Sequence, residues 1–430
     1  MTLRAFLKFS LLLMLLLVPA CGQRDDADSP PGDSGTPPTE DTGSPPEDVD
    51  SPPEDVDSPP EDADGPSPED TDDPPEEAPL PDGDGTPPSD EVNAELMALL
   101  ENNLAATDPG VVLFVGNRET THVAAYGLAN LAAGTPVKTN DYFRIGSTSK
   151  PMVSAALLTF VQANDIALED PIANYLPADI VENLVNVDST TVRQMLQMTS
   201  GIPDYLDTSA FLEAVDEAPT TFWTPEQVLE FAYDEPAKFA PGTDYYYSNS
   251  NYILAQIIIE RLSGKTLAEV LEETVFIPAG MTDCYLETAD NFAENIIRGY
   301  DNADDGDQLV DVTEINDGVG LGDGGVVCTL DSLAKFLPAL MDGDILGSDV
   351  LAEMLKSVPV RDLAPYGLGI DVEEDGEFGR TVGHSGATSG FATLIKYLPE
   401  DNLSVVAITN YVESAVLDDI LDDAFAWWFE

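Results

Sequence analysis

The sequence predicts an α+β fold: one antiparallel sheet, helices from both chain ends on it, and a mainly helical region inserted in the middle. Three observations carry this. Strand-like runs gather early and again in the last third of the chain. The two late pairs of runs are joined by short acidic turns, so they read as hairpins and the sheet as antiparallel. Between early and late strands, from about Asp165 to Ala279, the pattern is mainly helical with Pro- and Gly-rich joints.

The chain begins with an expected export signal over residues 1–21. Arg4 and Lys8 precede the unbroken apolar run Leu11 to Val18, which is too short to span a bilayer as a helix. The run ends in Leu17-Val18-Pro19-Ala20-Cys21, which resembles the bacterial lipoprotein lipobox with Cys21 as the lipidated residue. That resemblance implies an exported lipoprotein held to a membrane through Cys21. Residues 22–90 are built from Pro, Asp, Glu, Gly and Ser, with Ser44-Pro45-Pro46-Glu47-Asp48-Val49-Asp50 repeated from Ser51 and, with Ala for Val, from Ser58. So little apolar surface cannot offset the entropy of ordering, and a disordered stalk is expected. In polyproline II form, at ~3.1 Å per residue, it reaches at most roughly 200 Å.

A catalytic-sized body, residues 91–430, follows. Glu91 to Ala105 reads as a helix; Gly110 to Val115 and Thr120 to Tyr126 read as strands around the turn Gly116 to Glu119. Phe143 to Gly146 leads into Ser147, and Met152 to Gln162 reads as an apolar helix. Val192 to Gln197, Pro225 to Phe231 and Tyr252 to Leu262 are the plainest helices of the insert. Tyr366 to Val372 and Thr381 to His384 flank the turn Glu374-Asp375-Gly376. Gly390 to Leu398 and Leu403 to Asn410 flank Glu400-Asp401-Asn402, and Ser414 to Trp428 is the closing helix.

Charge excludes whole classes of partner. The chain carries 81 acidic against 17 basic residues, a net −64. From Glu91 onward, 57 acidic and 14 basic residues leave the globular part near −43. A nucleic acid needs a basic patch, and none is visible. Attraction to anionic lipid headgroups is excluded for the same reason. Solubility and tolerance of a salty medium remain as the reading of the acidic surface.

Three short motifs bear chemistry. In Ser147-Thr148-Ser149-Lys150 a helix starting at Ser147 puts Lys150 on the same face, within reach of the hydroxyl. Serine needs a base to become a nucleophile, and a buried lysine, its pKa lowered by desolvation, can be one. A helix N-terminus also aims backbone N–H groups at a developing oxyanion. The plain alternative is a helix cap with a solvated lysine; Ser332-Leu333-Ala334-Lys335 has the same spacing and is expected on a helix surface. Tyr247-Ser248-Asn249 combines a proton-relaying phenol with an amide that can hold a substrate, although tyrosines here could equally pack the core. Tyr300-Asp301-Asn302 shares that spacing, in an expected acidic loop. Gly383-His384-Ser385-Gly386-Ala387 reads as a strand that a substrate can approach closely. His122, the second of two histidines, is expected to be structural, and no His pair has zinc-ligand spacing.

Ser-x-x-Lys, then Tyr-Ser-Asn, then His-x-Gly, in that order, resemble the penicillin-recognising serine hydrolases, nearest the class C β-lactamase and DD-carboxypeptidase family. The flanks Phe143 to Gly146, Met198-Thr199-Ser200-Gly201-Ile202-Pro203-Asp204-Tyr205, Pro241 to Tyr252, Gly280-Met281 and Gly324-Gly325 through Asp331 are also similar. The resemblance runs from about Glu91 to the C-terminus and implies a β-lactamase/DD-peptidase-like fold. It implies acyl transfer through a Ser147 acyl-enzyme, with Lys150 and Tyr247 moving the proton and Asn249 holding the substrate amide. The backbone N–H groups of Ser147 and Ala387 would form the oxyanion hole, with Ser385 and Gly386 beside the substrate. His384 would add electrostatic help near the substrate carboxylate. No metal or cofactor is implied.

Where class C β-lactamases carry Lys-Thr-Gly, this chain has His384-Ser385-Gly386, the form typical of the family's DD-peptidases, aminopeptidases and esterases. A D-alanyl-D-alanine carboxypeptidase-like activity on peptidoglycan peptides or other small substrates is therefore expected first. A carboxylesterase or β-lactamase comes next, and a non-catalytic cell-wall-binding protein last. Cys284 and Cys328 stand where relatives commonly have Thr and Ser, and an exported protein permits them to pair or to stay two buried small residues.

Overall fold

The computed structural model describes residues 92–430, apart from residues 294, 304, 305, 307, 319 and 414. The expected export signal, Cys21 and the Pro-rich repeats lie outside the described residues. Helix α1 (Ala94–Asn103) is capped by Asn93, whose Oδ1 accepts from the backbone N–H of Glu95 and Leu96. Strands β1 (Val111–Gly116) and β2 (Thr121–Tyr126) form the expected hairpin. Short pieces β3 (Leu128–Asn130), β4 (Thr135–Pro136) and β5 (Phe143–Arg144) lead to a 3-10 turn, Gly146–Ser149. The turn runs directly into α2 (Lys150–Ala163), whose end is closed by Asn164 in the left-handed region.

The inserted region is helical, as its spacing predicts. It holds α3 (Ala178–Asn183), α4 (Val192–Leu196), α5 (Ser209–Glu217), α6 (Pro225–Glu230), α7 (Ser250–Ser263), α8 (Leu267–Leu271) and α9 (Ile277–Ala279). Thr191, Thr224 and Thr266 each start a helix with a reciprocal capping box to Gln194, Gln227 and Glu269. Strands β6 (Cys284–Leu286), β7 (Tyr300–Asn302), β8 (Leu309–Asp311) and β9 (Val326–Cys328) follow, then α10 (Leu330–Ala334), α11 (Phe336–Asp342) and α12 (Ser348–Met354). Two hairpins, β10 (Asp371–Gly376) with β11 (Gly379–Thr388) and β12 (Phe391–Leu398) with β13 (Leu403–Thr409), precede the last helix, α13 (Ala415–Phe429).

The main sheet is antiparallel with strand order β10-β11-β12-β13-β1-β2. Its central strands β12, β13 and β1 are buried on both faces, which is why β1 is apolar without alternation. Val111, Leu113 and Val115 meet Leu96 and Leu100 of α1 and Leu417, Ile420 and Leu421 of α13. Val112 and Phe114 point the other way, into the core shared with α2 and α7. His122 is structural: its Nδ1 lies 3.0 Å from the Asn93 amide, and its ring packs edge-on against Trp427.

Four local expectations fail for physical reasons. Tyr366 makes only isolated bridges and β10 begins at Asp371, because Gly369 takes a positive φ and turns the chain first. The hairpin turn falls at Gly376–Gly379 rather than Glu374–Gly376, after a register shift beyond Glu373. Ser332 is not a surface residue: its buried hydroxyl accepts from the Asp283 N–H, while Lys335 pairs with Asp331 outside. Tyr300-Asp301-Asn302 is strand β7, paired with β8, rather than part of a loop.

Cys284 and Cys328 form a disulfide, with Cα atoms 4.2 Å apart in directly opposed register. It staples β6 to β9 in a small sheet of order β5-β9-β6, the sheet that delivers the chain to Ser147.

Candidate active site

Phe143 and Arg144 pair with Cys328 and Val327, so β5 enters the core paired to β9. Arg144 is buried and held by a bidentate pair with Glu287, at 2.7 and 3.1 Å, and by the Thr313 carbonyl. A buried pair of this geometry fixes where β5 ends. At Gly146 φ is +51°, and a Cβ there would sit 2.6 Å from the Ala387 carbonyl oxygen. Gly386 is tighter still, since its Cβ would meet the Ile145 carbonyl oxygen at 2.0 Å. Strand β11 therefore passes against the 3-10 turn with no room for side chains between them, and Ala387 lies against the start of the Ser147 turn. The Ser149 hydroxyl ties the turn down, donating to Gly146 O and accepting from Val326 N.

Lys150 is completely buried, and each of its three N–H bonds has an acceptor. Nζ donates to Ser147 Oγ at 2.9 Å, to Asn249 Oδ1 at 2.7 Å and to the Asp323 carbonyl at 2.6 Å. Burial pushes its pKa down to about 8, against the opposing pull of Asp323 and then Asp204. An amine so placed is a competent base for the serine hydroxyl. Tyr247 closes the other side, its ring 5.0 Å from Nζ. Its buried hydroxyl meets no partner at full hydrogen-bonding geometry among the described residues, while the Ser147 hydroxyl lies close enough to act on its acidity. Burial keeps this phenol protonated far above its ordinary range.

The structure thus brings Ser147, Lys150, Tyr247, Asn249 and the His384–Ala387 strand into one place. Two assignments gain detail. Asn249 accepts from Lys150 with its oxygen and donates one amide N–H to Asp204 Oδ2 at 2.8 Å, so it orders the lysine and keeps its second N–H for a further acceptor. His384 is buried, with Nε2 3.1 Å from the Tyr366 hydroxyl and Nδ1 against the Ser385 carbonyl. Burial and then the Lys150 charge push its pKa down to about 3. It is neutral, and supplies no positive charge for a carboxylate. Ser385, the exposed member of this motif, is the side chain open to a ligand.

Sequence reasoning missed the supporting carboxylates. Asp204 lies between Asn249 and the Leu206 N–H, and burial, helped by Asp207, raises its pKa to about 7. Asp323 accepts from the Tyr205 hydroxyl at 2.9 Å, and burial raises it to about 6 despite Lys150. Asp204 and Tyr205 stand in a quoted flank, but nothing in their spacing marked them as neighbours of Lys150. Tyr366 carried no signal at all.

The family model described as Beta-lactamase matches residues 96–425. Penicillin-binding protein 4* of Bacillus subtilis is 26% identical over 321 residues, 71% of this chain and 68% of that protein. A D-aminopeptidase of Brucella anthropi is 30% identical over 298 residues, 67% of this chain. That match covers 53% of the aminopeptidase, so the chain spans about half of that relative. Among solved structures, the D-amino acid amidase from Ochrobactrum anthropi SV3 complexed with L-phenylalanine amide has a TM-score of 0.68 at 26% identity, covering 78% of this chain and 98% of that one. A penicillin binding protein from Bacillus halodurans, at 23% identity, shares the fold with a TM-score of 0.68 over 78% of this chain and all of that one.

Proposed function

The chain belongs to the Beta-lactamase family and is a serine hydrolase, and from that premise we propose that it cleaves amide bonds of D-amino acids in small amides and short peptides. The single observation that carries this reading is the 2.9 Å contact between Ser147 Oγ and a fully buried Lys150. With a pKa of about 8, roughly a tenth of Lys150 is neutral at pH 7. Neutral Lys150 takes the Ser147 proton as Oγ bonds to the substrate carbonyl carbon. The carbonyl π pair moves to oxygen, and the backbone N–H groups of Ser147 and Ala387 stabilise that oxyanion. Collapse breaks the C–N bond, and the leaving amine takes the proton held by Lys150, passed through the Tyr247 hydroxyl. Water then hydrolyses the ester by the same route reversed.

The relatives named for D-amino-acid chemistry support the D configuration. Neutral His384 moves the reading from a substrate carrying a free C-terminal carboxylate toward amides and peptides of D-residues. A D-alanyl-D-alanine carboxypeptidase, which acts on a free C-terminal carboxylate, is the second reading, supported by the penicillin-binding relatives. We also propose export and lipid anchoring at Cys21, on the N-terminal residues alone; a Cys21→Ser protein that stays membrane-bound would refute it.

The test is a panel of D- and L-phenylalanine amide, a peptide ending in D-alanyl-D-alanine, a p-nitrophenyl ester and a chromogenic cephalosporin. Faster turnover of the D-amide than of its L form and of the D-alanyl-D-alanine peptide supports the proposal. Ester cleavage with no amide cleavage would make the same machinery an esterase.

A further inference from the structure

The two carboxylates behind Lys150 do nothing in the steps above, yet they occupy its surroundings. We propose that Asp204 and Asp323 are positioning residues that set the proton affinity of Lys150, Asp323 as its buried counter-ion and Asp204 through Asn249. The proposal rests on Ser147 being the nucleophile. Protonated lysine only donates, so Asn249 must offer Lys150 its oxygen and turn its NH₂ the other way. The group that receives the NH₂ is Asp204 Oδ2, at 2.8 Å. A carboxylate there only accepts when ionised, which locks the amide against the reverse orientation. Asp204 is itself held by the Leu206 N–H.

Asp323 meets Lys150 through its backbone. Its carbonyl takes one lysine N–H, and its side chain is held by Tyr205 through Oδ2. The other carboxylate oxygen, Oδ1, is buried with no hydrogen-bond partner among the described residues. An unpaired carboxylate oxygen in an enclosed site is expensive unless a cation shares the enclosure. Lys150, bonded to the Asp323 carbonyl at 2.6 Å, is the cation beside it, and its charge works against burial to lower the Asp323 pKa.

The other groups that face Lys150 hold their charge constant. Ser147 is neutral; the rings of Tyr247 and Tyr252 lie 5.0 and 5.7 Å from Nζ and stay protonated; His384 on β11 stays neutral. Asp207 acts on Asp204, and Asp317 on Asp323, from one step further out. Asp371 on β10, which burial raises to about 7, acts on Tyr247 and Tyr366. Among the described residues, the carboxylates whose charge acts on the lysine itself are Asp323 and Asp204, and both change charge near neutrality.

The readout is the pH profile of Ser147 acylation, followed as the single-turnover burst from a reactive p-nitrophenyl ester, which does not depend on the natural substrate. Each carboxylate favours protonated Lys150, so removing its charge makes the neutral base available at lower pH. Asp323→Asn and Asp204→Asn should each move the acid limb down by about 1 pH unit. Asp204→Leu, which leaves the Asn249 NH₂ without an acceptor, should slow the burst at least tenfold at every pH. A merely structural role would lower the rate and leave the limb in place. Folded Asn variants with an unmoved limb overturn the proposal alone; a parent protein with no burst overturns the nucleophile assignment and the proposal with it. If the variants do not fold, 15N-lysine NMR on the parent decides: the Lys150 signal should show a second inflection below its own as the carboxylates titrate, and a single inflection overturns the proposal.

Discussion

At the residue scale the chemistry turns on what burial does to a few groups. Ser147→Ala removes the nucleophile and keeps the Lys150, Tyr247 and Asn249 framework, so turnover of any acyl substrate should fall by at least about 10³-fold, checked by initial rates. Asp204 and Asp323 also predict a stability signature. Their folded pKa values, about 7 and 6, lie above the ordinary 3.8. The folded state therefore binds more protons, and this contribution is full below about pH 4 and lost as pH rises through 6 and 7. Urea unfolding should show the parent losing stability relative to Asp204→Asn across that window. A constant difference would contradict the assigned burial. Ser147, Lys150, Tyr247 and His384 were legible because reactive residues at fixed spacing leave a pattern. The charge state of His384 and the orientation of Asn249 were not, since both come from groups distant in sequence, burial with Lys150 for the first and Asp204 for the second.

At the element scale the site depends on close passage of β11 over the 3-10 turn. A Gly386→Ala Cβ would overlap the Ile145 carbonyl, costing about 3 kcal/mol by chemical unfolding, the upper end of overpacking in a tight core. A substitution that costs nothing would mean the two backbones are not in contact. The disulfide closes 44 residues of chain, for which loop entropy gives about 4 kcal/mol. Cys328→Ser should lower stability by about 2–4 kcal/mol and loosen β9, which carries the Val326 N–H that holds Ser149. Hairpins β10–β11 and β12–β13 were readable from turn residues between strand-like runs. The sheet β5-β9-β6 was not: its strands are two or three residues long and pair with partners far along the chain, so no local period records them.

At the scale of the whole molecule, two helices from opposite chain ends cover one face of a single sheet, and the helical insert builds the site on the other side. The α+β architecture was legible in this order of elements, while the packing of Trp427 on His122 and Glu95 that joins the two chain ends was not. The net charge of −64 makes self-repulsion a property of the entire protein. Raising NaCl from about 10 mM to 1 M shortens the Debye length from roughly 30 to 3 Å and should raise the melting temperature; a flat or falling curve would show that the acidic surface costs the fold nothing.

The most direct measurement of the central claim is acid-quenched reaction of the protein with the p-nitrophenyl ester of an N-blocked D-amino acid, read by intact mass and peptide mapping. One acyl group on the peptide containing Ser147, absent from Ser147→Ala, is the expected result. An acyl group on any other residue, or undiminished hydrolysis by Ser147→Ala, would contradict it.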